Sequence, residues 1–318
     1  MKKYKIWLIN FLISFLFAGL LVVGFNYCTD YYKIFGHNLK TFIREPNQAF
    51  VKVNYILHNK DKYDSFILGS SRVGYIDPTK IPGGKFYNFT YAEGIPAEHI
   101  GIIKTLLKKG VKIKNIWIGL DEFSYRLNPE KHLNDLLKIP YPAVTGENWL
   151  KFYATYLFLP PRLLNKDEFE PVEFDILNTG MTKRPELEKE INEHPAVHIK
   201  KAVFNGSLRY EGEYREKAID EIREIVNLCH ENNIKLVVFL NPVYKNTYLS
   251  NNDEDLKRFK KELAEITDYY DFCYLNPVTI DKMMFLEGSH YREIVGDMII
   301  ERILNKRDDF GIYVYKKR

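Results

Sequence analysis

The segment Asp64-Ser-Phe-Ile-Leu-Gly69-Ser70-Ser71-Arg72 decides the fold, because a short apolar run ends there at a glycine followed by polar residues. Lys114-Asn-Ile-Trp-Ile-Gly-Leu120 and Ile234-Lys-Leu-Val-Val-Phe-Leu-Asn241 have the same form. Apolar runs of this length indicate strands that are buried on both faces. A further strand is predicted at Phe86-Tyr-Asn-Phe89.

Stretches with helical periodicity lie between or after these strands. They cover residues 97–109, 213–232, 253–267 and 291–304. Strands that alternate with helices of this length favour βαβ units and a parallel sheet. We therefore expect an α/β fold, a three-layer α/β/α sandwich with a mainly parallel sheet.

An apolar segment near the N-terminus predicts a membrane anchor. Residues 6–25 are interrupted only by two polar side chains and small glycines, and about 20 such residues span the hydrocarbon core of a bilayer as a helix. Lys2, Lys3 and Lys5 precede the segment, so we expect the N-terminus in the cytoplasm and the rest outside it. A removable signal peptide would have a shorter apolar core and an Ala-x-Ala-like cleavage site, and neither is present.

The chain divides into three predicted parts. Residues 1–28 form the cytoplasmic stub and the transmembrane anchor, 29–60 a connector with a helix at 47–59, and 61–318 the α/β domain. Within that domain, eight prolines break the rhythm between about 128 and 212. We interpret this stretch as a helical insertion, either a lid or partner-binding surface, or an ordinary decoration of the domain.

Composition argues against several classes of function. The 46 basic residues exceed the 42 acidic ones by only four and are spread along the chain, so nucleic-acid binding is not expected. Cys28, Cys229 and Cys273 lack metal or redox spacing, although one pair could form a disulfide. His194 and His198 have a spacing that suits a metal, but no matching ligands accompany them, and no metal or cofactor is predicted.

The residues just after the strands carry the chemistry, because ligands of parallel α/β sheets bind at the carboxyl ends of the strands. The candidate residues at these ends are Ser70, Ser71, Arg72, Gly94, Asp121 and Asn241. Near the C-terminus, Glu287 lies three residues before His290, just ahead of the last helix.

Ser71, His290 and Glu287 supply the three parts of a serine nucleophile: a hydroxyl, an imidazole that takes its proton, and a carboxylate that orients the imidazole. Structural alternatives exist for each part of the motif. Ser70 and Ser71 could cap a turn, and His290 could merely begin a helix. Arg72 could bind an acidic group of a substrate, or it could pair with Asp77 or Glu122 as scaffold.

These motifs resemble those of the SGNH (GDSL-like) hydrolase family, in particular its membrane-anchored branch, which includes proteins of alginate acetylation and lipoteichoic-acid D-alanylation. Gly69-Ser70-Ser71 matches the first block, the segment ending at Gly94 the second, and Glu287-Gly-Ser-His290 the last. The resemblance implies that Ser71 is the nucleophile, His290 the base and then the acid, and Glu287 its orienting group. The amides of Gly94 and Ser71 would stabilise the oxyanion.

One block departs from the family pattern. The family has an asparagine that donates to the oxyanion, whereas this chain has Asp121 in Gly119-Leu120-Asp121-Glu122. An ionised carboxylate cannot donate a hydrogen bond and would repel the developing negative charge. Asp121 therefore either points elsewhere or has another role.

The resemblance implies a membrane-tethered extracytoplasmic esterase or O-acyltransferase that modifies a cell-surface glycan through an acyl-serine intermediate. Its expected partners are the membrane, the glycan and, for a transferase, an integral-membrane acyltransferase. The alternative is a non-catalytic protein of the same fold that binds a glycan or acts as scaffold in the cell envelope, and the Asp121 departure favours that alternative.

Overall fold

A computed structural model describes residues 2–40, 42, 44–132, 135–138, 148–160, 172–206 and 214–317. Its centre is a six-stranded sheet. The strands of this sheet are β1 (Ser65–Gly69), β2 (Phe86–Thr90), β3 (Asn115–Leu120), β6 (Lys235–Leu240), β7 (Tyr269–Asp271) and β8 (Ile312–Val314). A separate two-stranded sheet consists of β4 (Glu173–Phe174) and β5 (Thr182–Lys183).

Ten α-helices occur in the described ranges. They are α1 (Lys2–Thr29), α2 (Gln48–His58), α3 (Pro96–Lys108), α4 (Trp149–Leu157), α5 (Pro185–Glu193), α6 (Pro195–Lys201), α7 (Arg215–Glu231), α8 (Lys245–Asn251), α9 (Glu254–Ile266) and α10 (Glu293–Ile303). The predicted α/β class and mostly parallel sheet are confirmed, and the insertion contributes α4, α5, α6 and the small hairpin.

The order of strands in the large sheet is β2-β1-β3-β6-β7-β8. All neighbours are parallel except β7 and β8, which pair antiparallel. The chain changes its winding direction between β1 and β3, where Gly69 pairs with Gly119. Such a switch point opens a crevice at the carboxyl ends of the two strands. The polar residues that follow β1 and β3 therefore meet at one place.

Two hydrophobic cores lie on opposite faces of the sheet. Phe66 and Leu68 of β1 belong to one core, together with side chains of α2, α3, α7 and α9. Ile67, the residue between them, belongs to the other core with side chains of α10. Each large side chain buried in this way contributes roughly 1.5–3 kcal/mol. Burial on both faces explains why β1, β3 and β6 are mostly apolar.

Helix α1 is long and apolar enough to cross a membrane. Its most apolar stretch of 18 residues has a mean hydropathy of 2.5, and none of that stretch is buried within the protein. Its last turn contains one buried side chain, Asn26. The Asn26 amide nitrogen donates hydrogen bonds to the carbonyl oxygens of Leu157 and Leu159, both at 2.8 Å. The end of α1 is thus joined to the end of α4.

Candidate active site

Ser71, His290 and Glu287 lie in direct contact. Ser71 begins the 3-10 turn Ser71–Tyr75, immediately after β1 and Ser70. Its Oγ lies 2.7 Å from Nε2 of His290. The opposite ring nitrogen of His290, Nδ1, contacts Oε1 of Glu287. The imidazole therefore bridges a hydroxyl and a carboxylate, which is the arrangement that a serine nucleophile needs.

Glu287 is held by the backbone of its own turn. Its Oε2 accepts the amide of Ser289 and its Oε1 accepts the amide of His290, both at 2.8 Å. Burial alone would raise the pKa of Glu287, but His290 and these two amides lower it overall. An ionised Glu287 can accept a hydrogen bond from Nδ1–H of His290. In that tautomer, Nε2 can accept the hydrogen bond of the Ser71 hydroxyl.

Arg72 joins the two halves of the site. It is 2% exposed, and Nη1 donates to Asp121 at 2.9 Å while both Nη atoms donate to Glu122. Its Nε and Nη2 donate to the carbonyl and hydroxyl oxygens of Ser289, each at 3.0 Å. Of the two scaffold partners considered for Arg72, Asp77 and Glu122, the structure shows Glu122. Asp77 instead accepts the amide of Thr79 at 2.9 Å.

Asp121 and Asn241 lie beneath the site, fully buried. The Asn241 Nδ2 donates to Oδ1 of Asp121 at 3.0 Å, and the hydroxyl of Tyr291 donates to Oδ1 of Asn241 at 3.1 Å. Burial raises the pKa of Asp121, while the charge of Arg72 opposes that rise. Asp121 therefore points toward Arg72 and Asn241, which is the first of the two alternatives for its departure from the family pattern.

Gly94 and Ser70 are also packed against the backbone around Ser71. A Cβ at Gly94 would lie 2.7 Å from the carbonyl oxygen of Gly69. The Oγ of Ser70 accepts the amide of Arg72 at 3.3 Å. The amides of Gly94 and Ser71 donate no hydrogen bond to another described residue. The oxyanion role of these amides stays a prediction, as do substrate-binding roles for Ser70, Arg72, Asp121 and Asn241.

A cavity of about 890 Å³, hereafter the cleft, opens over Ser71 and His290. Its walls come from the α/β domain, the connector and the insertion. The residues that line it are Tyr32, Phe42, Arg44, Glu45, Gln48, Ser71, Tyr75, Ala92, Glu93, Asp135, Leu136, Leu137, Lys138, Val172, Phe174, Thr182, Arg184 and His290. Aromatic rings and charges of both signs thus line the cleft beside Ser71.

Sequence reasoning did not identify Arg44, Glu45 or Arg184 as residues of the site. The Gln48 amide nitrogen donates to Oε1 of Glu45 at 3.1 Å. Burial raises the pKa of Glu45, and the hydrogen bond from Gln48 only partly opposes that rise. These residues belong to the connector and the insertion, where no motif or period marks one side chain above its neighbours.

No group of three His, Cys, Asp or Glu side chains in the described ranges could hold a metal ion. His198 is buried, and its Nε2 lies 3.0 Å from the carbonyl oxygen of Phe285. The three cysteines are free, with Cys28 exposed and Cys229 and Cys273 buried, so the disulfide left open by the sequence is not formed.

No protein-family model matches this chain, and no curated protein matches it. The resemblance of its motifs to the SGNH hydrolases therefore stays a hypothesis. The interpretation of the site depends on the contacts among Ser71, His290 and Glu287.

Proposed function

We propose that this protein is a serine esterase or O-acyltransferase of SGNH type. The observation that carries the proposal is the 2.7 Å contact between Oγ of Ser71 and Nε2 of His290, with Glu287 at the other ring nitrogen. Ser71 and His290 are separated by more than two hundred residues, and both line one cleft. A cap or a helix start requires no such convergence.

The reaction divides into two transfers of one acyl group. The Ser71 oxygen attacks the acyl carbonyl carbon while its proton passes to Nε2 of His290. The bond to the leaving alcohol then breaks, and His290 returns that proton to the leaving oxygen. In the second half, a water or a sugar hydroxyl loses its proton to His290 and attacks the acyl carbon, and Ser71 recovers its proton as its ester bond breaks.

The negative charge that forms on the carbonyl oxygen needs donors, and we assign this role to the amides of Ser71 and Gly94. Neither amide donates to another described residue. The packing of Gly94 against the carbonyl of Gly69 keeps its segment close to the Ser71 turn. Loss of one such donor typically costs about 10²–10³ in kcat.

The proposed substrate is a cell-surface glycan outside the cytoplasm. The aromatic and charged side chains of the cleft suit a polar polymer that has both hydroxyl groups and sugar faces. The apolar helix α1 and the lysines before it support an anchor with its N-terminus in the cytoplasm. An integral-membrane acyltransferase would supply the acyl group if the second acceptor is a sugar.

A second candidate is a non-catalytic scaffold with the same fold. The observation in its favour is Asp121, which stands where the family has its oxyanion asparagine. Asp121 is buried, and its Oδ1 accepts hydrogen bonds from Arg72 and Asn241, so the departure removes one donor from the proposed oxyanion site.

Labelling by a fluorophosphonate tests the proposal, because this probe forms a covalent bond only with an activated serine. We expect the full chain in detergent to be labelled, Ser71→Ala and His290→Gln to lose the label, and the exposed Ser250→Ala to keep it. Aryl acetate hydrolysis should follow the same pattern. Absence of labelling in the folded wild type, or equal labelling of Ser71→Ala, would reject the nucleophile.

A further inference from the structure

Helix α4 has exposed large apolar side chains on one side and buried ones on the other. Phe152 and Tyr156 are buried on its inner side. On its outer side and at its end, Trp149 is 42% exposed, Leu150 77% and Phe158 66%. A cluster of exposed large apolar side chains marks a surface that binds another protein or a membrane.

The position of α4 beside the end of α1 identifies what that surface meets. Asn26, in the last turn of α1, donates to Leu157 and Leu159 at the end of α4. The apolar stretch of about 20 residues that spans a bilayer ends immediately before Asn26. Asn26, and the end of α4 to which it is bonded, therefore lie at the boundary between lipid and water.

A row of aromatic rings extends from α1 across the connector to α4. The ring centroid of Tyr27 is 5.2 Å from that of Phe35, which lies 5.9 Å from Tyr153, and Tyr153 stacks on Trp149 at 6.0 Å. Tyr and Trp are the residues enriched at membrane–water interfaces, because each has an apolar ring and a polar group.

We propose that α4 lies in the outer headgroup boundary of the bilayer that α1 spans, with Trp149, Leu150 and Phe158 inserted among the lipids. The protein is thus attached at two adjacent places, by a spanning helix and by an interfacial one. Two attachments fix the orientation of the domain, whereas a single helix would leave it free to tilt.

The same contacts connect α4 to the cleft. The hydroxyl of Tyr156 donates to the carbonyl of Leu136 at 2.8 Å, and its ring lies 5.5 Å from that of Tyr32. Both Leu136 and Tyr32 line the cleft. On the basis of the proposed function, this arrangement holds the nucleophile near the membrane surface and favours substrates attached to that membrane.

Tryptophan fluorescence tests the lipid contact, because the chain has only three tryptophans, at 7, 117 and 149. Trp7 lies in α1 and is replaced by Phe in both proteins compared, while Trp117 is buried in the sheet. Full-length Trp7→Phe and Trp7→Phe/Trp149→Phe are placed in phosphatidylcholine vesicles whose acyl chains are brominated near the headgroup. Their difference reports Trp149 alone.

We expect bromine to reduce the Trp149 signal about twofold or more and to leave the Trp117 signal unchanged. Leu150→Glu/Phe158→Glu, made in the Trp7→Phe protein, should lift α4 from the lipid and abolish that quenching, with circular dichroism confirming the fold. Equal quenching of both tryptophans, or no quenching of Trp149, would overturn the proposal. If Trp149 is protected from quenching only at high protein density, a second copy of the chain covers this face, and the proposal is also overturned.

None of these measurements depends on acyl transfer. A protein that fails the fluorophosphonate test can still pass the quenching test, so failure of the proposed function and failure of the interfacial helix are distinguishable.

Discussion

Replacement of Arg72 by methionine tests whether one buried cation holds the site together. Methionine has a similar length and no charge, so it fills the space without the five hydrogen bonds that Arg72 makes to Asp121, Glu122 and Ser289. It leaves two carboxylates, each at most 2% exposed, without their counter-charge.

Removal of one partner from a buried ion pair typically costs about 3–5 kcal/mol, because the remaining charge is uncompensated. We expect Arg72→Met to lower the free energy of unfolding by that amount, and Arg72→Lys to lower it by less, since lysine keeps the charge but not the planar fork. Arg72→Met/Asp121→Asn/Glu122→Gln should recover most of the loss, because it removes the orphaned charges as well.

The loss of unfolding free energy in Arg72→Met, hereafter the deficit, should also depend on pH. Burial raises the pKa of Asp121, and the loss of Arg72 raises it further above its unfolded value. A carboxyl group of this kind destabilises the fold when it is ionised, so the deficit is largest at neutral pH and shrinks as the pH falls and the group takes up a proton.

Urea unfolding of the full chain in detergent, followed by circular dichroism, measures these differences. A loss below about 1 kcal/mol, the value of an exposed pair, would refute the reasoning. A triple variant no more stable than Arg72→Met would refute the account based on orphaned charges. Fluorophosphonate labelling of the folded fraction adds a readout of position, since Arg72 binds the loop of His290 through Ser289, and labelling should slow.

Two other changes probe the same region. Gly94→Ala places a Cβ 2.7 Å from the backbone oxygen of Gly69. We expect overpacking to lower the free energy of unfolding by about 1–3 kcal/mol and to slow the labelling of Ser71. An unchanged labelling rate would contradict the oxyanion assignment. Burial lowers the pKa of His132, but Glu93 and Glu98 raise it overall from 6.5 to about 9. Protonated His132 therefore stabilises the fold below its unfolded pKa, and this stabilisation is lost as the pH rises through about 9. The difference in melting temperature between wild type and His132→Gln should therefore narrow from about pH 6 to about pH 10, and a constant difference would exclude the ion pairs as its cause.

The strands at the centre of the fold could be predicted from sequence because they are buried on both faces. Such strands are apolar at most positions, and their runs end at Gly69 or at polar residues. The two strands of the six-stranded sheet that sequence reasoning missed lack that pattern. Strand β7 has only three residues, Tyr269–Asp271, and edge strand β8 has one side half-exposed, with Ile312 50% accessible.

The composition of the proposed triad could be predicted because each role requires a particular functional group. Few residue types supply a nucleophilic hydroxyl, an imidazole or a carboxylate, and the strand ends predict where along the chain they lie. The partner of Arg72 could not be chosen in the same way. Whether it pairs with Asp77 or Glu122 depends on which strands are neighbours, and the pairing of Gly69 with Gly119 brings the segment after β1 next to that after β3.

Sequence patterns predict the residues at the floor of the cleft but not those of its walls. Ser71 and His290 come from segments fixed by the sheet and by α10, whereas Glu45 and Arg184 come from the connector and the insertion. Those segments reach the cleft through individual contacts, such as the hydrogen bond from Asn47 Nδ2 to the hydroxyl of Tyr156 at 2.9 Å. No periodic pattern encodes such a contact, so the motifs predict the proposed triad, whereas the shape of the cleft depends on how the connector and the insertion pack.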